Sequence, residues 1–270
     1  MRRAGVLVPA AVLALLALGA WLVPVFARDP IGIGDVLANR LLPPLATGLD
    51  GGVHLLGTDR FGRDLFARMM LAARISLAVG VLGSVLAGAL GTVLGALAGW
   101  RGGIVDRLVT AVADVLLAVP RLVLLIVVAS LWPPGILTVV LVLVATGWMG
   151  TARLVRAEVQ GARGRAWTDA AFALGARRAR VLWRHVLPNA IGPAIVATTL
   201  GVGNAILLES GLSFLGLGIQ PPRPSWGNMI AGGRELIVTA PWVALAPGFA
   251  LIITVVACTL LGDALAERRL

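Results

Sequence analysis

The sequence predicts an all-α fold, specifically a polytopic membrane helix bundle, and two observations support this class. The mean hydropathy is +0.94 and only 13% of the residues are charged, which lies far outside the range of soluble globular domains. Several apolar runs exceed the roughly 18 residues that cross a bilayer as a helix. The 270 residues are therefore expected to form spanning helices.

Hydropathy divides the chain into six predicted spans. The apolar run of residues 5–26 exceeds the usual core of a cleavable signal, and we interpret it as a retained anchor. With the more polar stretch that follows, residues 1–73 are predicted to form an N-terminal anchor and an extracytoplasmic segment, and residues 74–270 the transmembrane domain proper. The remaining spans are expected at 75–100, 108–132, 136–151, 191–217 and 241–261.

Arginines set the expected orientation, because the chain contains no lysine. With a cytoplasmic N-terminus, fourteen of the 23 arginines lie inside and eight outside, an arrangement that the positive-inside rule favours. Both termini and a basic insert over residues 152–190 are then cytoplasmic, the latter between spans four and five. The missing lysine also excludes a lysine-containing phosphate-binding loop. Basic loops of a membrane protein indicate orientation and anionic lipid, and no nucleic-acid partner is expected.

The basic insert contains "TDAAFALGARRARVLWRHVLP", residues 168–188, which predicts a helical hairpin. Thr168 is expected to cap the first helix, and Gly175 to end it in the left-handed conformation. A second helix is expected over residues 176–186, ending before Pro188. Its apolar stripe comprises Ala179, Leu182 and Val186. Composition alone leaves two interpretations of this hairpin, an amphipathic element lying on anionic lipid or a plug that docks into a soluble partner.

The spacing within the insert resembles the E-A-A-x3-G-x9-I-x-L-P cytoplasmic loop of ABC-importer permeases. Aspartate stands in place of the usual glutamate, and His185 in place of isoleucine. "HLLGTDRFGRDLFARMMLAARISLAVG" (54–80) and "GLSFLGLGIQPPRPSWGNMI" (211–230) resemble the C-type subunit of permeases for dipeptides, oligopeptides and nickel. The resemblance covers residues 54–270. The matching loop positions are Asp169, Ala170, Ala171, Gly175, Leu187 and Pro188.

This resemblance implies a permease subunit of an ATP-driven importer in the cytoplasmic membrane of a bacterium or archaeon, with peptides or a related solute such as nickel as substrate. It implies a second homologous permease for the other half of the pathway, two ATPase subunits and an extracytoplasmic substrate-binding protein. The chain itself is then no enzyme and binds neither cofactor nor metal, because its partners use the ATP. The implied ATPase-coupling loop comprises Asp169, Ala170, Ala171, Gly175, Arg184, Leu187 and Pro188.

Ionisable and polar residues within the spans are candidates for the translocation pathway. Asp114 and Arg121 are seven residues apart, so one continuous helix places them on one face about 10 Å apart, and the proline between them is expected to kink that helix. Asn204, Glu209 and Ser210 form a second polar set, with Glu209 near the outer, better hydrated end. For both sets, the alternative to lining the pathway is a structural role, in which the side chains bond to neighbouring helices and do not contact substrate.

Small residues in the second span predict close helix packing. Gly91, Gly95 and Gly99 repeat every four residues and form one flat stripe, along which another helix backbone can approach. The sequence does not indicate which helix this is.

Two other functional classes are considered. An ion-coupled secondary transporter predicts inverted internal repeats and unwound helices at the bilayer midplane, and the sequence contains no convincing repeat. A non-transporting membrane scaffold predicts a hairpin that binds only lipid. Binding of an ATPase subunit by the hairpin distinguishes the importer from both.

Overall fold

A computed structural model describes residues 4–26, 29–32, 36–49 and 51–267, and within these ranges the chain is mainly helical. The only strands described are a two-residue antiparallel pair. In chain order the elements are α1 (Ala4–Phe26), α2 (Val36–Asn39), β1 (Ala46–Thr47), β2 (Val53–His54), α3 (Leu65–Arg101), α4 (Gly103–Ala118), α5 (Arg121–Ala129), α6 (Ile136–Arg163), α7 (Ala166–Ala173), α8 (Arg178–Val181), α9 (Leu187–Phe214), α10 (Trp226–Gly233) and α11 (Trp242–Glu267).

Within the described ranges, five helical segments are long and apolar enough to cross a membrane, namely α1, α3, α6, α11 and the run from α8 through α9. The pair α4 and α5 passes the same test together and provides a sixth span if the bent pair crosses as one. The predicted all-α membrane bundle is confirmed. The count of six spans stays a prediction.

Buried apolar residues form separate cores along the bundle. At the end where α3 begins, Leu65 packs with Trp226 of α10 and Leu251 of α11; we call this the α10 end. A middle core joins α3, α5, α6 and α9. At the opposite end, where α3 and α6 finish, Val155 and Val181 belong to a core that attaches the α7–α8 hairpin; we call this the hairpin end.

The helix pair α3 and α6 is held together by the glycine stripe. A Cβ atom added at Gly91 would lie 2.4 Å from the carbonyl oxygen of Trp148, and one added at Gly95 would lie 2.3 Å from that of Ala152. Real Cβ atoms do not come this close to a backbone, so only glycine permits this contact. The predicted close packing is confirmed, and the partner is α6 of the same chain.

The predicted third span is not one helix. The axes of α4 and α5 differ by 95° across the break at Val119 and Pro120. A residue before proline avoids the helical conformation, and Val119 is indeed extended with φ −90° and ψ 132°. Because the chain turns here, the expectation that Asp114 and Arg121 share one helix face is wrong, and the expected kink is a full break.

Two other helices are longer than predicted. α3 begins at Leu65, ten residues before the expected start of the second span, because the carboxylate of Asp64 caps it by accepting a hydrogen bond from the Ala67 amide (2.8 Å). Its 37 residues extend over about 55 Å, well beyond the hydrocarbon thickness of a bilayer. α6 continues to Arg163 and so includes the first twelve residues of the predicted insert.

Candidate coupling and translocation site

The turn of the hairpin has the predicted glycine-dependent geometry. Gly175 has φ +79°, a left-handed conformation that other residues adopt only at a cost. Its amide donates to the Phe172 carbonyl (2.9 Å), and the Ala176 amide donates to the Ala171 carbonyl (3.1 Å). These two bonds form a Schellman motif, which satisfies the last carbonyls of α7. The predicted helix end at Gly175 is confirmed.

The predicted first cap is wrong. α7 begins at Ala166 after the extended Arg165, so Thr168 is its third residue. The Thr168 side chain is buried, and its hydroxyl donates to the Ala162 carbonyl at 2.7 Å. Thr168 therefore adds a side-chain hydrogen bond to a carbonyl at the end of α6 and ties that helix to α7.

The return helix does not end before Pro188. α8 passes into a π-helical turn, Leu182–Val186, and then directly into α9, which contains Pro188 in its first turn. A proline ring clashes with the carbonyl four residues earlier in a regular helix, and a wider turn before it relieves this conflict. Of the predicted apolar stripe, Leu182 and Val186 are buried, whereas Ala179 is exposed.

Apolar packing fixes the hairpin to α3 and α6. Val181 and Val186 belong to one buried cluster with Val155 of α6. The Trp100 ring at the end of α3 stacks on Phe172 of α7, with centroids 6.2 Å apart and planes inclined by 30°. This packing holds the hairpin firmly against α3 and α6, since close-packed side chains deform little.

The turn itself projects from the bundle. Asp169, Ala170 and Gly175 are exposed, and Ala171 is half-buried against the cluster. Leu174, which directly precedes Gly175, is 89% exposed. The remaining predicted coupling residues lie on the return segment, where Arg184 and Pro188 are exposed and Leu187 is half-buried. The hairpin thus exposes both an acidic residue and an uncovered apolar side chain, a combination suited to contact with another protein.

Arg121 lies in a crevice among α3, α6 and α9. Ser84 and Thr198 line this cavity of about 40 Å³, and a terminal nitrogen of Arg121 lies 3.1 Å from the position of a Cβ added at Gly147. The Arg121 Nε is buried and has no hydrogen-bond partner within the described residues. A single water needs roughly 10–15 Å³, so the crevice accommodates a few waters or a carboxylate, but not a whole peptide.

Asp114 does not line this crevice and forms a different contact. Its carboxylate pairs with Arg153 of α6, and both side chains are about half exposed. About two turns earlier on α4, Asp106 pairs with Arg156, whose Nη2 donates to Oδ2 at 2.8 Å. These pairs attach α4 to α6. Sequence reasoning missed Arg153 and Arg156, because they lie 39 and 50 residues from their partners.

Glu209 is fully buried, so the expectation of hydrated surroundings for its carboxylate is wrong, although it lies toward the α10 end. The hydroxyl of Ser213 donates to Oε1 at 2.7 Å, and the hydroxyl of Ser76 on α3 donates to Oε2 at 2.8 Å. The Ile219 amide donates to Ser213 Oγ at 2.9 Å, which extends the network to the loop before α10. The carboxylate therefore joins α3 and α9 at the α10 end.

The second polar set does not come together. Ser210 is buried beside Glu209, whereas Asn204 is exposed, because five helical residues separate Asn204 from Glu209 and rotate it to another face. Ser76 was not identified from the sequence, since it lies 133 residues away from its acceptor.

Replacing Glu209 with leucine is expected to lower the free energy of unfolding by about 2–3 kcal/mol or more, because two buried hydroxyls lose their acceptor. Thermal unfolding of the purified chain in detergent measures this. Glu235→Leu, at a carboxylate that is 76% exposed, provides the control and should leave the melting temperature nearly unchanged. Equal melting temperatures for the two variants would contradict the structural role.

The described residues contain no group of three or more histidine, cysteine or acidic side chains arranged to hold a metal ion. The two histidines lie apart, His54 on β2 and His185 in the π-helical turn. What the residues do form is a bundle of apolar spans, a polar internal crevice and a projecting basic hairpin. These features define the class of membrane transport subunits.

Comparison with known proteins specifies the family. Residues 91–268 match the family described as binding-protein-dependent transport system inner membrane component. The chain belongs to this family. It is accordingly a multi-pass membrane protein and a transporter subunit, not an enzyme.

Similar proteins agree with this assignment. The dipeptide transport system permease protein DppC of Alkalihalophilus pseudofirmus is 38% identical over 230 residues, which cover 85% of this chain and 74% of that protein. The oligopeptide transport system permease protein OppC of Bacillus subtilis is 36% identical over 256 residues, covering 95% and 82%. A chain from the inward-facing MetNI methionine ABC transporter has a similar fold, with a TM-score of 0.57, 18% identity, and coverage of 72% of this chain and 92% of that chain.

Proposed function

We propose that this chain is a permease subunit of an ATP-driven importer of dipeptides or oligopeptides, with nickel as the alternative substrate within the family. It forms half of the pathway together with a second homologous permease. Two ATPase subunits bind the hairpins from the cytoplasm, and an extracytoplasmic binding protein delivers substrate. The names of the similar permeases support the peptide substrate, and the exposed turn at Gly175 is the observation that supports coupling.

In this mechanism the hairpin transmits force. Closure of the ATPase subunits moves the turn around Asp169 and Gly175, and the shared cluster with Val155 carries this movement to α3 and α6. Tilting of these helices shifts the population from an inward-open to an outward-open state. The hairpin end is then cytoplasmic, and the α10 end faces the binding protein.

Two of the candidate pathway residues have unused polar groups suited to that role. Arg121, half-buried with an unpaired Nε, is placed to meet a carboxylate or a backbone carbonyl of the substrate. Asn204 is exposed on α9 and is available to the path between the two permeases. For Asp114, Glu209 and Ser210 we favour the alternative role, that of bonds within the bundle, because of the contacts described above.

The coupling proposal is tested by co-purification of the assembled importer. Asp169→Arg reverses the charge at the exposed turn, and we expect recovery of the ATPase subunit to fall by about ten-fold or more, which corresponds to about 1.4 kcal/mol. Asp263→Arg makes the same charge change at an exposed position of α11 and should retain the ATPase. Full retention by Asp169→Arg would contradict docking at this turn, and absence of any ATPase from the unmodified chain would favour the scaffold.

For the pathway, Arg121→Leu is expected to reduce peptide uptake by about ten-fold or more while the complex still assembles, because a neutral side chain no longer attracts the substrate's polar groups. Uptake of radiolabelled dipeptide by proteoliposomes measures this. Arg234→Leu removes an exposed arginine at the α10 end and is the control. Normal uptake by Arg121→Leu would assign this residue to a structural role.

A further inference from the structure

A groove of about 500 Å³ lies between the hairpin and the ends of α3 and α6. Among its lining residues are three arginines, one from each of α3, α6 and α8, and three aromatic residues from both sides of the groove. No acidic residue lines it. The three arginines are Arg101, Arg163 and Arg178, and the three aromatic residues are Trp100, Phe172 and Trp183.

The three arginines have unused hydrogen-bonding capacity. None of the ion pairs recorded among the described residues includes them, and Arg163 donates one bond, to the Gly99 carbonyl at 3.2 Å. Three guanidinium groups around one groove repel each other unless an anion lies between them. Their planar forks match the oxygens of a phosphate group, which can accept paired bonds.

The aromatic residues make the groove suited to an amphiphile rather than a free anion. Trp183 is 51% exposed, and the stacked pair of Trp100 and Phe172 forms a second apolar wall. Tryptophan is enriched where a bilayer meets water, and this groove lies at the end of two spanning helices. A free phosphate would contact the arginines and leave this apolar surface uncovered.

We propose that the groove binds an anionic phospholipid, with its phosphate among Arg101, Arg163 and Arg178 and its glycerol and upper acyl chain against Trp100 and Trp183. Basic pockets between spanning helices bind such headgroups in other membrane proteins. Because the groove is formed by α3, α6 and the hairpin together, the bound lipid stabilises the packing of the hairpin against these two helices. The inference does not depend on ATPase docking.

Lipid titration of the delipidated full-length chain, followed by native mass spectrometry, tests the site. Phosphatidylglycerol is compared with phosphatidylcholine of the same chain length. The variant Arg101→Gln/Arg163→Gln/Arg178→Gln should bind phosphatidylglycerol on the order of ten-fold to a hundred-fold more weakly than the unmodified chain. Unchanged affinity for phosphatidylglycerol would overturn the proposal.

The matched control removes the same amount of charge at the hairpin end of the bundle, outside the groove. Arg165, Arg177 and Arg180 are exposed and do not line the groove, so their triple glutamine variant should keep most of its phosphatidylglycerol affinity. An equal loss in both triple variants would show diffuse attraction to a basic surface and would overturn a defined site. Circular dichroism and gel filtration verify that both variants are folded.

Two further measurements distinguish a bound lipid from a free anion or a protein partner in the groove. Brominated phosphatidylglycerol should quench tryptophan fluorescence, with a smaller amplitude in Trp183→Phe, because quenching requires the lipid to lie against that ring. Inorganic phosphate that competes at the affinity of phosphatidylglycerol would show a free-anion site and overturn the lipid assignment. If the groove variant loses the ATPase subunit but keeps its lipid affinity, the groove belongs to the protein partner instead.

Discussion

Replacing Gly175 with proline is expected to release the ATPase subunits and to abolish ATP-dependent uptake, while the spanning helices stay folded. Proline requires φ near −65°, whereas Gly175 has φ +79°. Proline also removes the amide that donates to Phe172. The end of α7 must therefore rebuild, which moves Leu174 and Asp169 relative to each other. A cost of about 3 kcal/mol or more corresponds to a loss of binding of more than a hundred-fold.

The control for this prediction keeps the positive φ at position 175 and changes only the size of the side chain. A Cβ atom at Gly175 meets nothing within 4 Å, so a larger side chain fits if it accepts a positive φ. Asparagine tolerates this conformation better than other residues, and Gly175→Asn should keep most of the ATPase binding. Co-purification of the ATPase subunit and far-UV circular dichroism are measured for both variants. Full ATPase recovery with Gly175→Pro would show that the left-handed turn has no part in docking.

Replacing Gly95 with leucine is expected to prevent the chain from reaching its folded state in the membrane. A Cβ atom there lies 2.3 Å from the Ala152 carbonyl oxygen and 3.0 Å from the Ala152 Cα, so α3 and α6 must separate. Overpacking against a flexible side chain typically costs about 1–3 kcal/mol. Here the obstacle is backbone, and separation also weakens the contact at Gly91, so we expect the upper end of that range or more.

Expression level and melting temperature in detergent report this effect. Gly150→Leu is a matched control, because Gly150 lies on α6 with φ in the ordinary range and has nothing within 4 Å of an added Cβ. It should accumulate and melt like the unmodified chain. Normal folding of Gly95→Leu would contradict the close contact of α3 with α6.

Local signals in the sequence were sufficient for some features. The left-handed turn was predicted from Gly175 alone, since a helix end needs a residue that accepts positive φ. The glycine stripe predicted close helix packing from spacing alone. Helix ends were less predictable: Thr168 resembled a cap, but its hydroxyl satisfies the carbonyl of Ala162 on the preceding helix, and Pro188 did not end its helix because a π-helical turn precedes it.

The polar sites depended on contacts distant in the chain. Asp114 and Arg121 would have shared a face on one straight helix, and the break at Pro120 separates them. Glu209 looked hydrated because it lies late in an apolar run, yet hydroxyls from Ser76 and Ser213 allow it to be buried. Neither outcome could be read from spacing, because each depends on which helix lies alongside.

The sequence by itself determined that the chain is an all-helical membrane protein, since apolar length and the need to satisfy backbone hydrogen bonds in lipid leave only this solution. It also determined the hairpin and its glycine turn, whose geometry is local. Only the tertiary structure decided that α6 packs on the glycine stripe, that Glu209 is internal, and that three arginines from separate helices line one groove. These features arise from pairwise packing between distant segments, which one-dimensional patterns do not specify.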